Sequence, residues 1–132
     1  MTVVGIGLDV VEVARFRRSL ERTPSIRQRI FTDAELNELA PRVDPVPSLA
    51  ARFAAREAVM KALGLGLGAF GFHDVRVMVR DSGQPELVVT GRAAELAAQQ
   101  GVTEWHLSIS HDGPVATAMV VAEGPRRHDG GP

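Results

Sequence analysis

The chain has 132 residues, enough for one domain with a real hydrophobic core, and its charges nearly cancel to a formal net of −1. That balance gives no general affinity for nucleic acid or membrane, and an aromatic content of 5% with no tyrosine argues against a base-stacking surface. The absence of cysteine removes disulfides, zinc–thiolate sites and thiol nucleophiles, and no apolar run nears the roughly 18 residues of a membrane span.

Val3 to Val10 alternate as a strand, with Val4, Ile6, Leu8 and Val10 on one face and Gly5, Gly7 and Asp9 on the other. The glycines leave their face bare, so something can approach the backbone closely there. Asp9 reads either as the cap of the next helix or as a group aimed at whatever approaches. Helical spacing then runs from about Val11 to Arg22, where Arg15, Arg18 and Arg22 share one face, and Pro24 interrupts it. Six arginines oppose one glutamate between Arg15 and Arg29. This is either a solvated helix face or a docking surface for an acidic partner.

Thr32 to Glu35 is a T-x-x-E capping box, which predicts a short helix ending near Pro41, followed by a proline-rich loop over Arg42–Pro47. Ser48 starts a strong helix to about Leu63, closed by Gly64. That helix is apolar nearly all round, yet carries Arg52, Arg56, Glu57 and Lys61. Glu57 and Lys61 stand four apart on one flank, as an ordinary ion pair or as groups held by a metal and a phosphate.

The second half predicts strands at His73–Arg80 and Glu86–Thr90 around the turn Asp81–Pro85, a helix over Gly91–Gln100, and a hairpin. The hairpin pairs Glu104–Ser110 with Val115–Glu123 around a turn His111–Pro114, with His106, Ser108 and Ser110 opposite Leu107 and Ile109. Ser, His and Asp neighbours on one strand and its turn do not give triad geometry. Gly124 to Pro132 reads as a disordered tail after a domain over residues 1–123. The fold class is α+β, a single domain with a largely antiparallel sheet, and with no signal-peptide pattern at its start the expectation is a cytoplasmic protein.

Three segments in order resemble one family, the holo-[acyl-carrier-protein] synthases, the small bacterial class of phosphopantetheinyl transferase. Gly5-Ile6-Gly7-Leu8-Asp9 followed by Arg15 resembles its opening G-x-G-x-D. Phe53-Ala54-Ala55-Arg56-Glu57-Ala58-Val59-Met60-Lys61-Ala62-Leu63-Gly64 resembles its signature F-A-x-K/R-E-A-x-x-K-A-x-G, and Ser108-Ile109-Ser110-His111 its late S-x-S/T-H. The Ile30–Glu35 and Gly83–Pro85 segments also fall in family order. Two positions depart from the family: Leu65 replaces the threonine of Gly-Thr-Gly, and Gln84 the lysine of Asn-Gly-Lys-Pro.

The resemblance implies transfer of 4′-phosphopantetheine from coenzyme A to a serine of an acidic acyl carrier protein, with 3′,5′-ADP leaving. It implies Asp9 and Glu57 as Mg²⁺ ligands and Glu57, Lys61 and His111 as the catalytic set. Lys61, Gly64, Gly66, Gly83, Pro85, Ser110 and His111 would contact coenzyme A, and Arg15, Arg18 and Arg22 would dock the carrier. It also implies a homotrimer with active sites between subunits, to which the bare Gly5/Gly7 face and the apolar helix add weight. The rival readings are a nucleotide-binding module without catalysis and a metal-dependent pyrophosphohydrolase.

Overall fold

Helix α4 (Val46–Ala62) lies across a three-stranded antiparallel sheet built from β1 (Thr2–Glu12), β5 (Val115–Gly124) and β4 (Glu104–Asp112), in that order. The computed structural model describes residues 1–126. Ala54, Ala55, Ala58 and Ala62 of α4 meet the inward row Ala118, Val120 and Ala122 of β5, all fully or nearly buried. Small side chains on both surfaces let helix and sheet close to short range. At Gly5 and Gly7 the approach is closest, since a Cβ built there would stand 1.8 Å from the carbonyl oxygens of Ala62 and Ala58.

The bare strand face is therefore covered within the chain, by the backbone of α4. This removes the weight that the bare Gly5/Gly7 face lent to a homotrimer. The open face of β1 is the opposite one, where Ile6, Leu8 and Val10 are each more than half exposed. A register shift between Val3 and Gly5 separates Val4 from them and packs it against the core.

After β1 come α1 (Val13–Arg22), α2 (Ile26–Ile30) and α3 (Asp33–Leu39). Phe16 and Leu20 of α1, Leu39 of α3 and Phe31 from the link between α2 and α3 close a second core against Leu49 and Ala50 of α4. The capping box at Thr32 is formed as expected, whereas α2 has no counterpart in the sequence reading. Helix α4 begins at Val46, with Pro47 in its first turn, and ends in a Schellman motif. There Gly64 takes φ +66°, its amide donates to Lys61 O, and Leu65 donates to Met60 O.

A separate antiparallel pair, β2 (Val75–Val79) and β3 (Pro85–Val89), packs on the flank, and α5 (Gly91–Gln99) leads into β4. The antiparallel character is as expected, although it is divided between two sheets. Strand β4 continues through His111 and Asp112, leaving Gly113-Pro114 as the turn, so His111 and Asp112 are strand residues rather than turn residues. Gly124 closes β5 rather than opening a tail, and residues 127–132 of the expected tail lie outside the described residues. No described helix is long and apolar enough to cross a membrane.

Candidate active site

The buried charges of α4 are the two arginines. Arg56 is fully buried, donates to both oxygens of Glu35 and to the carbonyls of Phe72 and Arg52, and lies over the Phe31 ring at 5.0 Å. Glu35 also accepts from the amides of Thr32 and Val77, so one carboxylate caps α3 and ties it to α4 and β2. Arg52 donates to Val77 O and pairs with Glu38. These links leave α4 no freedom to rotate, and so fix the flank that carries Glu57 and Lys61. Burial pushes Glu35 up, but the hydrogen bonds and charge of Arg56 and the two amides outweigh it and hold Glu35 below its ordinary value.

On that flank Lys61 Nζ donates to Asp9 Oδ1 at 3.0 Å and to Leu8 O at 2.9 Å. It is thus not a simple helix partner of Glu57. Asp9 sits on the α4 side of β1, opposite Ala118, with its side chain 18% exposed. It is not the helix cap, since α1 begins only at Val13 and Glu12 holds the cap position. Burial raises the Glu57 carboxyl above its ordinary value, the negative charge of Asp9 raises it further, and Lys61 opposes both. Two carboxylates within each other's field, with no hydrogen-bonding partner for Asp9 Oδ2 or for Glu57 among the described residues, form a donor set for a hard cation. The residues present fit a magnesium ion.

Asp9 and Glu57 line a cavity of about 430 Å³ together with Arg15, Phe16, Ser19 and Phe53. Arg15, Arg18 and Arg22 are exposed and make no ion pair among the described residues. Arg17, by contrast, is spent within the chain on both oxygens of Asp44. Arg15 borders the Asp9–Glu57 cavity beside Glu12, while Arg18 and Arg22 lie further along the exposed face of α1.

Gly83, Pro85, Ser110 and His111 line a second cavity of about 290 Å³, with Arg42 and Arg52. The two cavities have no lining residue in common, and β5 stands between β1, which carries Asp9, and β4, which carries His111. Ser110 and His111 point to opposite faces of β4, which is an edge strand. Gly64 and Gly66 line neither cavity, and nothing stands within 4 Å of a Cβ built on either, so the space above them is open. Leu65, at the first departure from the family, packs against the core, while Gln84 is exposed in the turn.

The sequence reading passed over Glu35 and Glu38 as partners of the buried arginines, although the T-x-x-E motif had marked Glu35. It also passed over a group formed by Glu104, His106 and Glu123 on the outward side of the sheet.

The profile of the 4′-phosphopantetheinyl transferase superfamily matches residues 5–120. The holo-[acyl-carrier-protein] synthase of Streptomyces avermitilis is 53% identical over 126 residues, spanning 94% of this chain and all of that protein. Among solved structures, that of the Neisseria meningitidis holo-[acyl-carrier-protein] synthase has a TM-score of 0.84 at 35% identity, covering 92% of this chain and 99% of that one. The Bacillus anthracis synthase, in complex with CoA (3′,5′-ADP), has a TM-score of 0.78 at 34% identity and covers 95% and 100%.

Proposed function

Since the chain belongs to the 4′-phosphopantetheinyl transferase superfamily, we propose that it transfers 4′-phosphopantetheine from coenzyme A to a serine of apo acyl carrier protein, as a cytoplasmic holo-[acyl-carrier-protein] synthase. The observation that carries this reading is the meeting of Asp9, Glu57 and Lys61, from two distant segments, at the end of α4 nearest the open glycines. A binding module has little need for two carboxylates held in each other's field. A pyrophosphohydrolase usually needs a denser acidic cluster.

Asp9 and Glu57 would hold Mg²⁺, which when bound neutralises the pyrophosphate of coenzyme A and the charge developing on the leaving group. Lys61 is exposed enough to leave Asp9 and turn its ammonium to the same phosphates. Gly64 and Gly66 admit the nucleotide to the backbone. In the transfer a bond forms from the serine oxygen to the β-phosphorus, the bond from that phosphorus to the 3′,5′-ADP oxygen breaks, and the serine proton is released. Arg15, Arg18 and Arg22 would receive the acidic surface of the carrier and bring its serine to the Asp9–Glu57 cavity.

We read the working form as a homotrimer. Its support is the outward sheet face, where Ile6, Leu8, Val10 and Met119 are exposed together, and the separation of the two cavities in one copy. A neighbour's Gly83, Pro85, Ser110 and His111 would then complete the coenzyme A site. The test is mass spectrometry of apo carrier protein incubated with the protein, coenzyme A and Mg²⁺. Gain of the phosphopantetheine mass is expected, and an unmodified carrier over long incubation refutes the assignment.

A further inference from the structure

Glu104 and His106 are two residues apart on β4 and so share its outward face, and Glu123 of β5 is the direct cross-strand partner of Glu104. One ligand atom from each of the three lies within 4.8 Å of the other two. The Nε2 of His106 is hydrogen-bonded to Glu123 Oε1 and lies 3.9 Å from Glu104 Oε2. Neither glutamate has a lysine or arginine partner among the described residues. Like charges placed directly opposite across a strand pair destabilise it, and the hydrogen bond of His106 reaches only Glu123. Glu104 and His106 are more than half exposed and border a cavity of about 490 Å³.

We propose that Glu104, His106 and Glu123 bind a divalent transition metal of the zinc class. One imidazole nitrogen with two carboxylate oxygens suits Zn²⁺, whereas Mg²⁺ prefers an all-oxygen shell. The Asp9–Glu57 pair, which has no nitrogen donor, and this cluster thus select different ions. A protonated His106 would supply one compensating charge, and the metal supplies two. Three protein ligands leave one tetrahedral position open to water or a further donor.

The test uses the full chain, stripped with EDTA and then saturated with Mg²⁺, and titrated with Zn²⁺ by calorimetry. Co²⁺ in place of Zn²⁺ gives visible bands that report coordination directly. Saturable binding of one ion per chain is expected, weakening as the solution is acidified, because the ligating imidazole must be neutral. His106→Ala and Glu123→Gln should each lower the affinity at least about tenfold, while Glu57→Gln leaves it unchanged. Circular dichroism checks each fold, and His106→Gln replaces His106→Ala should the latter fold poorly. No saturable binding in the Mg²⁺-loaded protein, or wild-type affinity in the His106 variant, overturns the proposal. The three residues share the outward sheet face read above as the trimer surface, so size-exclusion chromatography of each variant separates loss of metal from loss of assembly; the transfer step itself uses none of them.

Discussion

Lys61 reaches away from its own helix, to the carboxylate of Asp9 on β1, and leaves Glu57, one turn back on α4, without a direct partner among the described residues. The ammonium thus holds one side of a carboxylate pair whose other side is open. On the proposed reading, a cation held by Asp9 and Glu57 would leave Lys61, whose side chain is half exposed, to turn toward phosphates. The flank works because α4 is clamped elsewhere, by Arg56 on Glu35 and Arg52 on Glu38.

Lys61→Ala should lower turnover on the order of 10²-fold, as removal of a preorganised charge at a reacting oxygen does, and Lys61→Arg should recover part of the loss. Because the lysine side chain is half exposed, the stability cost should stay within about 1 kcal/mol. Steady-state rates beside urea unfolding of each variant check this. Wild-type rates in Lys61→Ala would reduce Lys61 to a surface ion pair.

Activity should fall on the acid side at a higher pH than an ordinary glutamate would give, because burial and Asp9 both raise Glu57 and its protonated form cannot hold a cation. Raising the Mg²⁺ concentration should shift that limb to lower pH, since metal and proton compete for the same oxygens. The measurement is a pH–rate profile at several Mg²⁺ concentrations. In Asp9→Asn the carboxyl of Glu57, followed by NMR, should titrate lower than in the wild type, with transfer abolished. A limb that ignores Mg²⁺ would remove Glu57 from the metal site.

Glu35→Ala should destabilise the fold by about 3–5 kcal/mol, because it leaves the guanidinium of Arg56 buried without its counter-charge. Glu35→Leu combined with Arg56→Met should recover much of that loss. The folded-state value of Glu35 is depressed, so its stabilising effect is full above the unfolded carboxylate range and is lost as pH falls through the depressed value. Denaturant unfolding at neutral and acid pH measures both effects. A single variant as stable as the wild type would contradict the pair's structural weight.

Arg18→Glu together with Arg22→Glu should raise KM for the carrier protein and leave KM for coenzyme A nearly unchanged. These two are the clean pair, since Arg15 also lines the Asp9–Glu57 cavity. The difference from wild type should shrink with salt, as the Debye length is roughly 8 Å at physiological ionic strength. Kinetics with each substrate varied in turn, at low and high salt, decide it. Equal changes in both KM values would return this helix face to solvent.

Much of the fold was legible because punctuation and period agreed along the chain. Thr32 with Glu35, Gly64 after Leu63, and the alternation of β4 and β5 each carry a local cause. What was not legible was pairing over distance. Charges on so apolar a helix need strong partners, and in the sequence that need points first to Glu57 and Lys61. The buried charges are Arg52 and Arg56, and nothing local says that Glu35 and Glu38, more than ten residues away, answer them. The close approach at Gly5 and Gly7 was legible, but nothing local says that carbonyls of α4 make it and so leave Ile6, Leu8 and Val10 facing outward.

The separation of the Asp9–Glu57 cavity from the Ser110–His111 cavity has a consequence for mixtures of inactive proteins. If the catalytic unit is the junction between copies, a chain disabled at Asp9 still offers an intact His111 cavity to its neighbour, and a chain disabled at His111 still offers an intact Asp9. Refolding Asp9→Ala and His111→Ala together should restore transfer that neither has alone, a form of complementation within one gene product. Titrating one variant into the other should give activity that rises and then falls, with its peak where both are well represented. Disabling both residues in one chain should abolish the rescue, because that chain has no sound half to lend.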